Sequence, residues 1–155
     1  MQPSFSSLLL ALLAVATFAN AERVAFEPCS SGSNQCEVNW VEIDPCPEAE
    51  TGAPCRTKKG KAAAIKFDFK TAVPKDKLDV EVFWASATGD LPFPGFDTDA
   101  CKYTQCPVAA DTAQTLTYSL DIPKKTASRV YSVKWDLSSA DKEVRCCFLT
   151  KIRIY

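Results

Sequence analysis

The sequence predicts an all-β domain, a disulfide-braced antiparallel sandwich of about seven strands, and three observations carry that prediction. Apolar and polar side chains alternate along most of the chain after Ile65, the pattern of strands with one buried face. Clusters of proline, glycine and aspartate interrupt the alternation, as short turns do. Eight cysteines follow an export-type leader, enough for four disulfides.

The leader comes first. An apolar run from Leu8 to Phe18 ends in Ala19, Asn20 and Ala21, a small-x-small ending that fits a signal-peptidase site. Residues 1–21 are therefore predicted to be a signal peptide, with the mature chain starting at Glu22. The run is too short for a good membrane span, and no later window approaches about 18 consecutive apolar residues. Residues 22–155 then form one domain, too few for two ordinary ones. They carry all 18 basic and 19 acidic side chains, a formal net charge of −1 that offers nucleic acid no global field.

The strands follow in order. One is predicted near Val24 to Cys29, and a second over CEVNWVEI, with Cys36, Val38 and Trp40 on one face. IKFDF sends Ile65, Phe67 and Phe69 to one side and Lys66 and Asp68 to the other. VEVFW opposes Val80, Val82 and Trp84 to Glu81 and Phe83. LTYSLDI aligns Leu116, Tyr118, Leu120 and Ile122, and YSVKWDL aligns Tyr131, Val133, Trp135 and Leu137. A last strand runs from Val144 to Ile154, with Cys146 in register with Val144 and Phe148. Turn signals at Val73–Asp76, Thr88–Asp90, Ile122–Lys125 and Ser138–Asp141 separate them. The cysteine and tryptophan spacings do not fit the core pin of an immunoglobulin domain.

Eight cysteines allow 105 pairings. Cys46 and Cys55 bracket PEAETGAP, a turn-rich hairpin tip, and Cys101 and Cys106 bracket four residues, so both pairs are local staples. Adjacent residues on a strand face opposite ways, so Cys146 and Cys147 serve different faces. Cys146 shares the apolar face with Phe148, and Cys36 lies in register with Val38. This favours Cys36 with Cys146 and Cys29 with Cys147, with the reverse pairing open. Each bond would close a loop of roughly 100 residues or more, stabilising by about 4 to 5 kcal/mol in the chain-entropy model. A metal site on these cysteines is disfavoured by the oxidising compartment and by the absence of histidine, and no metal or cofactor is predicted.

The same residues carry a family resemblance. RVAFEPC (Arg23 to Cys29), DPCP with APC and KKGK, the proline-rich PFPGFDTDACKYTQCPV (Pro92 to Val108), VKWDL and CFLTKIRI resemble, in that order, the ML family of lipid-recognition domains. That family includes the Niemann-Pick C2 sterol carriers, the group 2 mite allergens and the immune co-receptor MD-2. The resemblance spans essentially the whole mature chain. It implies two sheets of immunoglobulin-like topology with an apolar cavity between them, and it supplies Cys29–Cys147, Cys46–Cys55 and Cys101–Cys106. Cys36 and Cys146 are additional to the three-disulfide pattern of the sterol carriers, and their pairing rests on the face argument.

From alternation alone, inward rings fill a core. The resemblance makes Ile65, Phe67, Val82, Trp84, Tyr118, Ile122, Val133, Trp135 and Phe148 candidate walls of a ligand cavity, with Phe93 and Phe96 at its mouth. Prolines 92, 94 and 107 limit the rim backbone, and a Cys101–Cys106 bond would pin it. Tyr118 or the Trp135 indole could orient a ligand hydroxyl. Binding would be driven by removing apolar ligand surface from water, about 25 cal/mol per Å². After Pro123, the sequence KKTASRVYSV departs from the sterol carriers, which have a valine and a tyrosine at the pocket entrance. Lys124, Lys125 and Arg129 would there meet either solvent or anionic lipid headgroups, and RTKKGK is a similar basic turn.

The expected function is secreted binding and transfer of a sterol, fatty acid or other lipid by a monomer, with a membrane lipid transporter or receptor as a further partner. The alternatives are innate-immune recognition of microbial lipid such as lipopolysaccharide, and a cavity-free extracellular interaction module. No catalytic residues are assigned: a Ser-His or Cys-His nucleophile needs histidine, and Asp97, Asp99 and Asp111 match no motif. Asn20, Asn34 and Asn39 begin no Asn-x-Ser/Thr sequon, which favours extracellular fluid over the lysosomal lumen.

Overall fold

The structure, a computed structural model, describes residues 22–155. The predicted signal peptide lies outside the described residues. Among the described residues the fold is all-β, with 3-10 turns only at Ala49–Thr51 and Ala100–Lys102.

Sheet one contains β1 (Glu22–Arg23), β3 (Cys36–Asp44), β5 (Ala62–Thr71) and β8 (Ala113–Asp121), in the order β1-β3-β5-β8. Sheet two contains β2 (Glu27–Pro28), β4 (Cys55–Thr57), β6 (Asp79–Ala85), β7 (Leu91–Pro92), β9 (Val130–Ser138) and β10 (Arg145–Ile154). Its order is β2-β10-β9-β6-β7, with β4 also pairing with β10. Strict alternation forms the long strands: in β5, Ala63, Ile65, Phe67, Phe69 and Thr71 are buried between more exposed neighbours.

Three expectations need correction. The opening strand is two short pieces: β1 pairs with β3 in sheet one, and β2 pairs with β10 in sheet two. Between them the chain crosses from sheet to sheet. The Cys46–Cys55 segment is no simple hairpin tip, because it leaves β3 in sheet one and enters β4, which runs parallel to β10 in sheet two. With β4 and β7 added, about seven strands become ten, and one pairing is parallel. Two- and three-residue strands carry too few residues for alternation to register.

The third correction concerns Trp40. A bulge between Val38 and Trp40 shifts the register, so Val38 pairs with Phe69 while Trp40 pairs with Asp68 and Val41 with Phe67. Val41 and Ile43 then point inward, and Trp40 faces outward beneath the cations of Arg23 and Lys66.

Four disulfides brace the sandwich, and no cysteine is free. Cys36–Cys146 ties the start of β3 to the start of β10, bridging the sheets at one end. Cys29–Cys147 lies on the outer face of sheet two, where Arg145 and Asp136 form a forked ion pair. Cys46–Cys55 ties the chain just after β3 in sheet one to the first residue of β4 in sheet two, and Cys101–Cys106 staples the loop that precedes β8.

Candidate functional site

The site is the interior between the sheets, built from the inward residues of six long strands, β3, β5, β6, β8, β9 and β10. Trp135 sits at its centre on β9. Its ring centroid lies 6.1 Å from Phe67, 5.8 Å from Phe96, 6.3 Å from Tyr118 and 6.5 Å from Phe148. Phe67 and Phe148 meet edge to face across the gap at 5.0 Å, a favoured aromatic geometry.

The loop from Pro92 to Val108 closes the side between β6 and β8. Phe93 is buried against Trp84 at 4.9 Å, and its N–H donates to the Val82 carbonyl at 2.8 Å. Phe96 stacks on Tyr118 at 4.1 Å, and Tyr103 packs against the same ring at 4.4 Å. Burial first, and Tyr118 second, push the Tyr103 phenol above its usual range. The Tyr118 hydroxyl accepts from the Asp97 N–H at 3.2 Å. Asp99 caps the turn at Ala100 by accepting from the Cys101 N–H, and the Cys101–Cys106 bond holds that turn. So the prolines and rings of this loop cover the sandwich, and Phe93 and Phe96 are part of that cover.

A cavity of about 30 Å³ remains toward the end opposite Cys36–Cys146. Ile43, Ala63, Ala64, Ile65, Leu120 and Ile122 line it from sheet one, and Val133, Trp135, Thr150 and Ile152 from sheet two. Of the residues singled out from sequence, Ile65, Ile122, Val133 and Trp135 line this void. Phe67, Val82, Phe93, Tyr118 and Phe148 are buried in the same core beside it, and Trp84 and Phe96 are half-buried against that core.

Alternation missed Ile43, Ala63, Ala64, Leu120, Thr150 and Ile152 as wall residues because it marks faces, not empty space. The available signal was AAAI at Ala62–Ile65. Ala63 occupies an inward position that larger side chains fill at Ile65, Phe67 and Phe69, and the missing volume leaves the void. Thr150 is polar, which apolar alternation does not mark, yet it is only 2% exposed.

Above this end lie two basic turns. Gly60, in the left-handed region at φ 69°, donates to the Ile122 carbonyl, and a Cβ there would meet Lys124 Cγ at 2.9 Å. Lys125 and Arg129 border a neighbouring groove with Trp84, Leu91 and Tyr131, and the Arg129 guanidinium lies over the Tyr131 ring at 4.6 Å. Leu91 is 65% exposed beside them. Among the described residues, no group of three or more metal-ligating side chains is assembled.

The family model described as ML domain matches residues 23–154. An MD-2-related lipid-recognition protein of Manduca sexta is 36% identical over 150 residues, covering 95% of each chain. A mite group 2 allergen of Tyrophagus putrescentiae is 31% identical over 116 residues, 75% of this chain and 74% of the allergen. Among solved structures, a Niemann-Pick type C2 protein from the Japanese carpenter ant shares the fold, with a TM-score of 0.74 at 18% identity. That match covers 84% of this chain and 99% of the ant protein.

Proposed function

The chain belongs to the ML domain family, and on that premise we propose that it is an exported lipid carrier, holding a sterol, a fatty acid or another apolar lipid between its two sheets. The family is a non-enzymatic one of lipid-recognition proteins and allergens. The observation that carries the reading is the inter-sheet cavity, walled almost entirely by aliphatic side chains and continuous with an aromatic core. Export is supported by the signal peptide predicted at residues 1–21 and by four disulfides, which persist in oxidising compartments.

A cavity of 30 Å³ is far below the roughly 300 Å³ or more of ordinary ligand pockets, so uptake requires the sheets to part. Cys36–Cys146 bridges them at one end, and the Pro92–Val108 loop covers one side. At the other end Cys46–Cys55 ties the β3 side to β4, so the lipid enters there on the β8 side, beneath Gly60, Lys124 and Lys125. A second reading, recognition of a microbial lipid with an anionic headgroup, is favoured by the basic residues there.

Native mass spectrometry of the secreted protein, followed by organic extraction, tests the proposal. The expected result is a one-to-one lipid adduct: a sterol or fatty acid supports the carrier reading, and a phosphorylated glycolipid supports the second. A protein that carries nothing and takes up neither fluorescent sterol nor fatty acid overturns both, and leaves an interaction module with closed sheets.

A further inference from the structure

We propose that the cavity contains a polar subsite, made of the Trp135 indole N–H and the Thr150 hydroxyl, that recognises a hydroxyl or carbonyl oxygen on the end of the lipid that enters first. The inference rests on the carrier reading above and adds the chemistry of the buried end.

Both residues line the cavity, and every other lining side chain is aliphatic. Trp135 is 1% exposed and Thr150 2%, and neither Trp135 Nε1 nor Thr150 Oγ1 has a hydrogen-bond partner. An unsatisfied buried donor costs about 1–3 kcal/mol, so two in one apolar cavity call for a ligand atom. The remaining unpartnered polar atoms, on Thr57, Thr71, Thr104 and Gln114, belong to residues that do not line this void.

Placement on the sheet makes the two groups a pair. Trp135 is opposite Phe148 and Thr150 opposite Val133, so the two are diagonal neighbours on one face of adjacent strands. Diagonal neighbours lie about 7–8 Å apart at Cβ, close enough for one oxygen between their tips to reach both. β9 and β10 stay paired from Arg145 to Arg153, so the pair remains together when the two sheets separate.

The donor pattern sets the ligand class. Indole N–H only donates, while threonine both donates and accepts. A ligand hydroxyl can accept from Trp135 and donate to Thr150, and a carbonyl can accept from both. A carboxylate is excluded from this position because no cation lines the cavity, which leaves an acid group at the basic end.

Palmitate and ω-hydroxypalmitate are the probes, titrated calorimetrically into wild type, Thr150→Val, Thr150→Ser and Trp135→Phe. Circular dichroism confirms the fold of each variant. Wild type should bind the hydroxylated chain at least as tightly as palmitate. Thr150→Val should lower the ratio of hydroxylated-chain to palmitate affinity about tenfold, and Trp135→Phe should lower it in the same direction. Thr150→Ser, which retains the hydroxyl, should recover the preference. Wild type that binds palmitate but rejects the hydroxylated chain, as a purely apolar pocket or one holding only a water would, overturns the subsite. So does a Thr150→Val variant that weakens both chains alike. Failure of wild type to bind either chain refutes a fatty-acid cargo and the subsite with it, while the carrier reading falls only if a fluorescent sterol is refused as well.

Discussion

Trp40 owes its position to one inserted residue. Asn39 is the extra member of the bulge opposite Asp68, and its amide donates to Asp68 Oδ1 at 2.5 Å. Because side chains alternate with a period of two, that insertion turns every later residue of β3 over. Trp40 is left outside with Arg23 at 5.2 Å and Lys66 at 5.3 Å from its ring centroid. Phe67, fully buried and touching Phe69, Trp135 and Phe148, has the opposite fate. Phe67→Ala should therefore cost about 3–5 kcal/mol, as large core truncations do. Trp40→Ala should cost about 1 kcal/mol, the scale of exposed cation–π contacts. Urea denaturation of both variants checks this, and equal losses would mean that the bulge is absent.

At the scale of elements, the loops behave as fastened covers. Lys75, between β5 and β6, donates to Asp141 at 2.6 Å and to Glu143 at 2.5 Å, clamping its loop to the β9–β10 turn. Asp141 also accepts from the Ser139 hydroxyl and the Glu143 N–H. Lys75 first, then these two groups, hold the Asp141 carboxyl well below its ordinary value of 3.8. A depressed carboxyl stabilises the fold above its unfolded-state value, and the contribution is lost as the pH falls through the folded-state value. Asp141→Asn should thus lower the melting temperature at pH 7, and the gap from wild type should close as the solution is acidified below 3.8. Melting curves across that range decide it; a gap that persists in acid would assign the loss to packing. The clamp was not legible in the sequence, because its partners are 66 and 68 residues apart. The long strands β5, β6, β8, β9 and β10 were legible, since alternation over five or more residues marks a strand whatever its neighbours are.

For the whole molecule, the decisive feature is which end can open. Cys36–Cys146 joins the two sheets across 110 residues of sequence with a Cα separation of 5.2 Å, at the end remote from the cavity. This bond joins two long strands, β3 and β10, whereas at the cavity end Cys46–Cys55 ties the chain after β3 only to the three-residue β4. Replacing both cysteines by alanine should cost about 2–5 kcal/mol in a denaturation experiment. It should also speed release of a bound fluorescent fatty acid, because the second end is then free to separate. Unchanged release from a measurably destabilised variant would show that the bond braces the fold without governing access.

The amino-acid sequence by itself determined the all-β class, most inward faces and the division of cysteines between local staples and long-range bonds. These follow from periodicity, turn chemistry and the opposite facing of adjacent strand residues, all of which are local. Only the tertiary structure decided where the chain changes sheets, that β4 joins β10 in parallel, and that Trp40 points out. It also decided which few of the many inward residues surround empty space, and that Thr150 and the Trp135 indole share it without partners. Those facts depend on what lies across the gap, and side-chain volume left unfilled between two sheets is a property of the pair, legible in neither strand alone.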